Sequence, residues 1–166
     1  MAHLAEQTAA PLDHPDRWVP RLQRLLDRQL GAYSELDVLS RQQGGHIESG
    51  DTGALLSVLT ARQTIIDQIA SVNAELEPFV RSWTRLLAQV TPDQRADLEK
   101  RFTGIDDLVA TIARRDDDDR QRLESRRKSV SDSIASASRA RAAASAYSGD
   151  ASARAPVVPR YQDREA

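Results

Sequence analysis

From Trp18 to Leu39 the large apolar side chains fall at steps of three and four: Trp18, Leu22, Leu25, Leu26, Leu30, Tyr33, Leu36 and Leu39. That spacing gathers them on one face of an α-helix with Arg and Gln opposite, so the chain must fold by laying helices together. This first helix is expected over residues 16–47. Gly44-Gly45 weakens its last turns by about 1 kcal/mol each relative to Ala, and Ser49-Gly50-Asp51-Thr52-Gly53 supplies a turn and an N-cap.

The helical period resumes after the turn in Leu55, Leu56, Leu59, Ile66, Ile69, Val72, Leu76, Phe79, Val80, Trp83, Leu86, Leu87 and Val90. A second helix over 52–90 is expected, with Pro78 kinking it rather than ending it because the apolar pattern keeps its phase. Thr91-Pro92-Asp93-Gln94 is a helix-start signature: an N-cap, a proline at the first helical position and a capping-box glutamine. It predicts a third helix over 92–148, stopped by Gly149. Its stripe runs through Leu98, Phe102, Ile105, Leu108, Val109, Ile112, Leu123, Val130 and Ile134, then shrinks to Ala137, Ala140, Ala144 and Tyr147.

Short loops between long helices require antiparallel neighbours. The expected fold class is all-α, an elongated antiparallel helical hairpin or bundle of three long helices with a protruding C-terminal helix. A third helix of about 55 residues would span roughly 80 Å against about 48 Å for the first, so its far end, 134–149, lacks neighbours in its own chain. Residues 16–149 form the helical domain. Residues 1–15, interrupted by Pro11 and Pro15, and 150–166, with Pro156 and Pro159, are expected to be a disordered arm and tail.

Composition narrows the function. The 23 basic and 25 acidic residues nearly cancel, leaving no basic field to hold nucleic acid. No cysteine is present, which removes disulfides, thiolate metal sites and a cysteine nucleophile, and fits a reducing, cytoplasmic setting. The N-terminus lacks the basic and apolar regions of a secretory leader and no later segment is a membrane span, so the chain reads as soluble, unprocessed and not inserted in a membrane.

The conspicuous local features have plain readings. Asp116-Asp117-Asp118-Asp119 cannot converge on one ion, because adjacent helical residues point about 100° apart. Asp116 and Asp119 fall in the apolar seam between Ile112 and Leu123, and the run reads as a solvent-exposed weak point or hinge, flanked by Arg114, Arg115, Arg120 and Arg122 that can pair along the helix. His3, His14 and His46 have no ligand spacing. Arg126, Arg127 and Lys128 read as a solvated face, with only Tyr147 available to stack a base. Trp18, Trp83, Tyr33 and Phe79 sit on apolar stripes and belong to the core. Residues 61–69 faintly echo the first-helix pattern of helical chorismate mutases, but such a site needs several convergent cations and no second block of that pattern appears, so the chain is read as no enzyme, with no metal and no cofactor.

Three blocks carry a family resemblance. They are Leu25-Leu26-Asp27-Arg28-Gln29-Leu30-Gly31-Ala32-Tyr33-Ser34-Glu35-Leu36, then Gly50-Asp51-Thr52-Gly53-Ala54-Leu55-Leu56 leading to Arg62-Gln63-Thr64-Ile65-Ile66-Asp67-Gln68-Ile69, and last Arg120-Gln121-Arg122-Leu123-Glu124-Ser125-Arg126-Arg127 followed by Arg141 to Tyr147. In order and spacing the chain resembles the FlgN-like flagellar export chaperones of the flagellar type III secretion system. The resemblance implies a cytoplasmic chaperone whose C-terminal helix binds the terminal helical segment of hook–filament junction proteins and delivers them to an export gate component. The residues expected to receive that client are Ile134, Ala137, Ala140, Ala144 and Tyr147, of which the three alanines permit close helix approach and Tyr147 anchors the end. The alternatives are a structural coiled-coil adaptor without chaperone activity, or a frayed helix end with no binding role.

Overall fold

A computed structural model describes Leu12 and residues 14–152, with the side chains of 148–152 left aside. Its elements are α1 (Pro15–Ser49), α2 (Thr52–Arg81), α3 (Trp83–Leu87) and α4 (Pro92–Ser152), with no strand among the described residues. The all-α expectation holds. The arm and tail expected at 1–15 and 150–166 fall mostly outside the described residues.

The turn after α1 is built as its residues dictate. Gly50 closes the helix at φ 73°, ψ 18°, a left-handed conformation that costs glycine no Cβ clash. The Asp51 N–H then returns to the His46 carbonyl at 3.1 Å, and the Asp51 carboxylate accepts from the Ala54 N–H at 3.0 Å to start α2. At the head of α4, the Gln94 N–H donates to Thr91 Oγ1 at 3.3 Å and the Thr91 N–H to Gln94 Oε1 at 3.1 Å, the reciprocal capping box.

Residues 1–122 form one compact unit and residues 123–166 a second. Within the first, α2 runs back along α1: Arg28 pairs with Glu75 at 3.0 Å and Gln29 Nε2 donates to Asn73 Oδ1 at 2.7 Å. The early part of α4 returns parallel to α1. Gln23 donates to Asp97, Arg101 to Asp27 and Gln43 to Asp119, with sequence offsets of 74, 74 and 76 that barely change along the helices. A constant offset is what parallel, in-register packing requires.

The core grades along this unit. At the end where the α1 N-terminus meets the α2–α3 junction it is large and apolar, with Trp18, Leu22, Leu26, Phe79, Leu86 and Leu98 almost wholly buried. Trp83 meets Phe102 edge to face, their centroids 5.0 Å apart. Smaller aliphatics follow, Ala32, Leu36, Ile65, Ile69 and Ile112. Toward Gly50 a polar layer follows, with Ser40, Gln43, Arg62 and Asp119 all buried, and beyond it Ile47 and Val58 are buried and apolar again.

Four sequence expectations need correction. The expected second helix over 52–90 is two helices: α2 continues through Pro78 but breaks at Ser82, whose N–H turns back to the Phe79 and Val80 carbonyls. The break swings Leu86 into the core, where it is fully buried. On α2 the stripe is rotated: Val58, Arg62 and Ile65 face inward, while Leu56, Leu59, Ile66 and Val80 are exposed. Gly149 does not stop α4, which continues to Ser152. The aspartate run is neither a hinge nor solvent-exposed throughout, since α4 is unbroken across it and Asp119 is only 3 % exposed.

Candidate partner-binding surface

The described part of the second unit is the stretch of α4 from Leu123 onward, with no large apolar residue between Ile134 and Tyr147. Its Ala, Arg, Ser and Lys residues lose little side-chain freedom in a helix, and no proline interrupts 93–155, so the segment is helical on local grounds. Ser133 Oγ bonds back to the Ser129 carbonyl at 2.9 Å, as a mid-helix serine facing water does.

At 100° per residue, Leu123, Val130, Ile134, Ala137, Ala140, Ala144 and Tyr147 fall within an arc of about 140°. They make one continuous stripe. Every described side chain from Arg120 to Tyr147 is exposed, and the large members of the stripe are exposed to an unusual degree, Ile134 by 63 % and Tyr147 by 85 %. Ordinary surface helices bury such a stripe. The five residues expected to bind a partner therefore share one open face, narrow at the alanines and ending in an aromatic ring.

Among the described residues no three His, Asp or Glu side chains gather as a metal's donor set, and no helix is long and apolar enough to cross a membrane. What the face offers is apolar contact at close range, because alanine lets a second helix axis approach.

The family model described as FlgN protein matches residues 18–155. The chain belongs to the FlgN family. The match covers all of the first unit's helices from Trp18 onward and the whole exposed stripe. FlgN proteins are flagellar export chaperones, which accords with a helix face left open for another protein. No curated protein and no solved structure was found to match.

The polar layer near Gly50 is what sequence reasoning missed. Arg62 Nη2 lies 2.6 Å from Asp116 Oδ2, Ser40 Oγ donates to Asp116 Oδ1 at 3.4 Å, and Arg115 pairs with Asp37. Asp119 accepts from Gln43 Nε2 at 3.0 Å and has Arg122 at 3.6 Å. Gly44 makes the room, since a Cβ there would stand 3.3 Å from Asp119 Oδ1. The available signal was position: Arg62, Asp116 and Asp119 all occupy seam positions of their helices, four or seven residues from core aliphatics.

Proposed function

We propose that this FlgN protein is a cytoplasmic export chaperone that holds the terminal helical segment of hook–filament junction proteins along residues 134–147 and passes them to the export gate. The observation that carries the proposal is the open stripe from Ile134 to Tyr147, with Ala137, Ala140 and Ala144 between. A helix with a small-residue face and a terminal aromatic suits a helical client, which supplies the bulk the stripe lacks. The family match supports the same reading.

Calorimetric titration against a peptide from the client's terminal helix tests it. Truncation after Ser133 abolishes binding while leaving a cooperatively folding protein, because among the described residues every buried side chain lies upstream of Arg120. Tyr147→Ala alone weakens binding by about 1–3 kcal/mol. Unchanged affinity in the truncated protein rejects the surface, and repeated copurification with a cytoskeletal partner but no junction protein favours the coiled-coil adaptor.

A further inference from the structure

The α1–α2 hairpin has two long grooves, one on each side. α4 fills one of them through Gln23, Asp27, Gln43 and Arg62. The opposite groove is open: Glu35, Val38 and Leu39 of α1 and Ala61, Thr64 and Ile65 of α2 line a space of roughly 500 Å³. Val38 leaves 46 % of its surface in water.

The apolar stretch continues into a basic one. Arg17, Arg21, Arg24 and Arg28 follow at steps of four, three and four, which keeps them within an arc of about 60° on α1. They border α2, since Arg28 pairs with Glu75 and the Arg21 guanidinium stands 5.9 Å from the Phe79 ring centroid. Leu39 follows Arg28, and Glu75 follows Thr64, by the same eleven residues, about three helical turns, so the arginines and the apolar groove share one face. Glu75 offsets Arg28. Arg17, Arg21 and Arg24 make no ion pair among the described residues.

We propose that this face docks an amphipathic helix of a partner protein, apolar along one half of its contact stripe and acidic along the other. A groove between two packed helices receives the ridge of a third. From Arg17 to Leu39 it extends about 33 Å, the length of a helix of about 22 residues. Three guanidiniums without carboxylates select glutamate or aspartate over the basic half, because arginine binds carboxylates bidentately. A second copy of this chain fits less well: docked through the same face about a two-fold axis, it either sets the two arginine rows against each other or leaves both uncovered. The surface shares no residue with the 134–147 stripe.

The test uses the full-length chain and a synthetic helical peptide of about twenty residues, with leucines along one half of a face and glutamates along the other half. A control peptide carries lysines in place of the glutamates. The glutamate peptide binds at least roughly tenfold more tightly than the lysine peptide, Arg21→Glu with Arg24→Glu reverses that preference, and Val38→Glu weakens both peptides. Tyr147→Ala leaves the affinity unchanged, and unaltered melting temperatures show that the surface variants are folded. Equal affinity for the two peptides, or a preference that survives charge reversal, overturns the proposal. So does binding to phosphatidylserine-rich vesicles that is lost in the arginine variant while neither peptide binds.

Discussion

The Arg62 guanidinium and the Asp116 carboxylate meet at 2.6 Å, yet their burial is unequal: the arginine side chain is 10 % exposed and the aspartate 39 %. The dependence is therefore one-sided. Arg62 Nη1 is buried with no hydrogen-bond partner, so Asp116 is the main compensation for a buried cation. Asp116→Leu is expected to destabilise the protein by about 1–3 kcal/mol, the range for a buried polar group left unpaired. Arg62→Leu combined with Asp116→Leu restores most of that loss. Denaturant unfolding of both variants checks this, and a double variant no better than the single would show that the buried charge was not the cause.

Gly44 and Gly45 are adjacent on α1 but meet different surroundings. A Cβ on Gly45 touches nothing within 4 Å, whereas one on Gly44 meets Asp119. Gly45→Ala should stabilise by about 0.5–1 kcal/mol through helix propensity. Gly44→Ala should gain nothing or lose stability, because it pushes Asp119 off Gln43. Equal thermal shifts for the two variants would contradict the close approach.

Asp97 accepts hydrogen bonds from Arg101 and Gln23, and these hold its carboxyl below the usual value of 3.8. A depressed folded-state value contributes stability above the unfolded value, and that contribution is lost only as pH falls through the lower, folded one. Its side chain is 41 % exposed, so solvent screening keeps the effect small. In an NMR titration of the side-chain carboxyl, Arg101→Gln moves the Asp97 midpoint upward toward 3.8, more than Gln23→Ala does. A midpoint indifferent to Arg101 would assign the shift to something else.

Hydrogen exchange should separate the two units. Amides of α1, α2 and α4 up to about residue 119 lie over buried side chains and exchange slowly, while those of 123–147 exchange fast in the free protein. Added client peptide slows the second group. Uniform protection to Tyr147 in the absence of peptide would mean the stripe already has a cover.

The α1 face was legible in the sequence because its large apolar residues, Val38 apart, have only one face to occupy: Trp18, Leu22, Leu25, Leu26, Leu30, Tyr33, Leu36 and Leu39 are all buried or half-buried. α2 was harder for a physical reason. It carries aliphatics on two faces, Val58, Ile65 and Ile69 on one and Leu59 and Ile66 on another, so periodicity alone cannot choose which turns inward. Contact with α4 chooses, and it does so through Arg62, a residue that apolar patterning passes over. The break at Ser82 was equally hidden, since it follows Pro78 by four residues and is fixed by the burial of Leu86. At the C-terminal end the residues of the candidate surface were legible from what the sequence omits, large side chains between Ile134 and Tyr147.

The constant offset between α1 and α4 also sets an order of events in folding. α1 and α2 are joined by a two-residue turn at Gly50 and Asp51 and can zip from it, whereas the α1–α4 bonds close stretches of 74 to 78 residues. Closing long stretches early costs entropy before any contact rewards it, so the hairpin is expected to nucleate and α4 to dock last. In chevron kinetics Ile65→Val should then slow refolding, while Ile112→Val should mainly quicken unfolding. A nascent chain released with α1 and α2 complete would already hold a paired hairpin, its inner groove open and Arg62 waiting for the aspartates of α4.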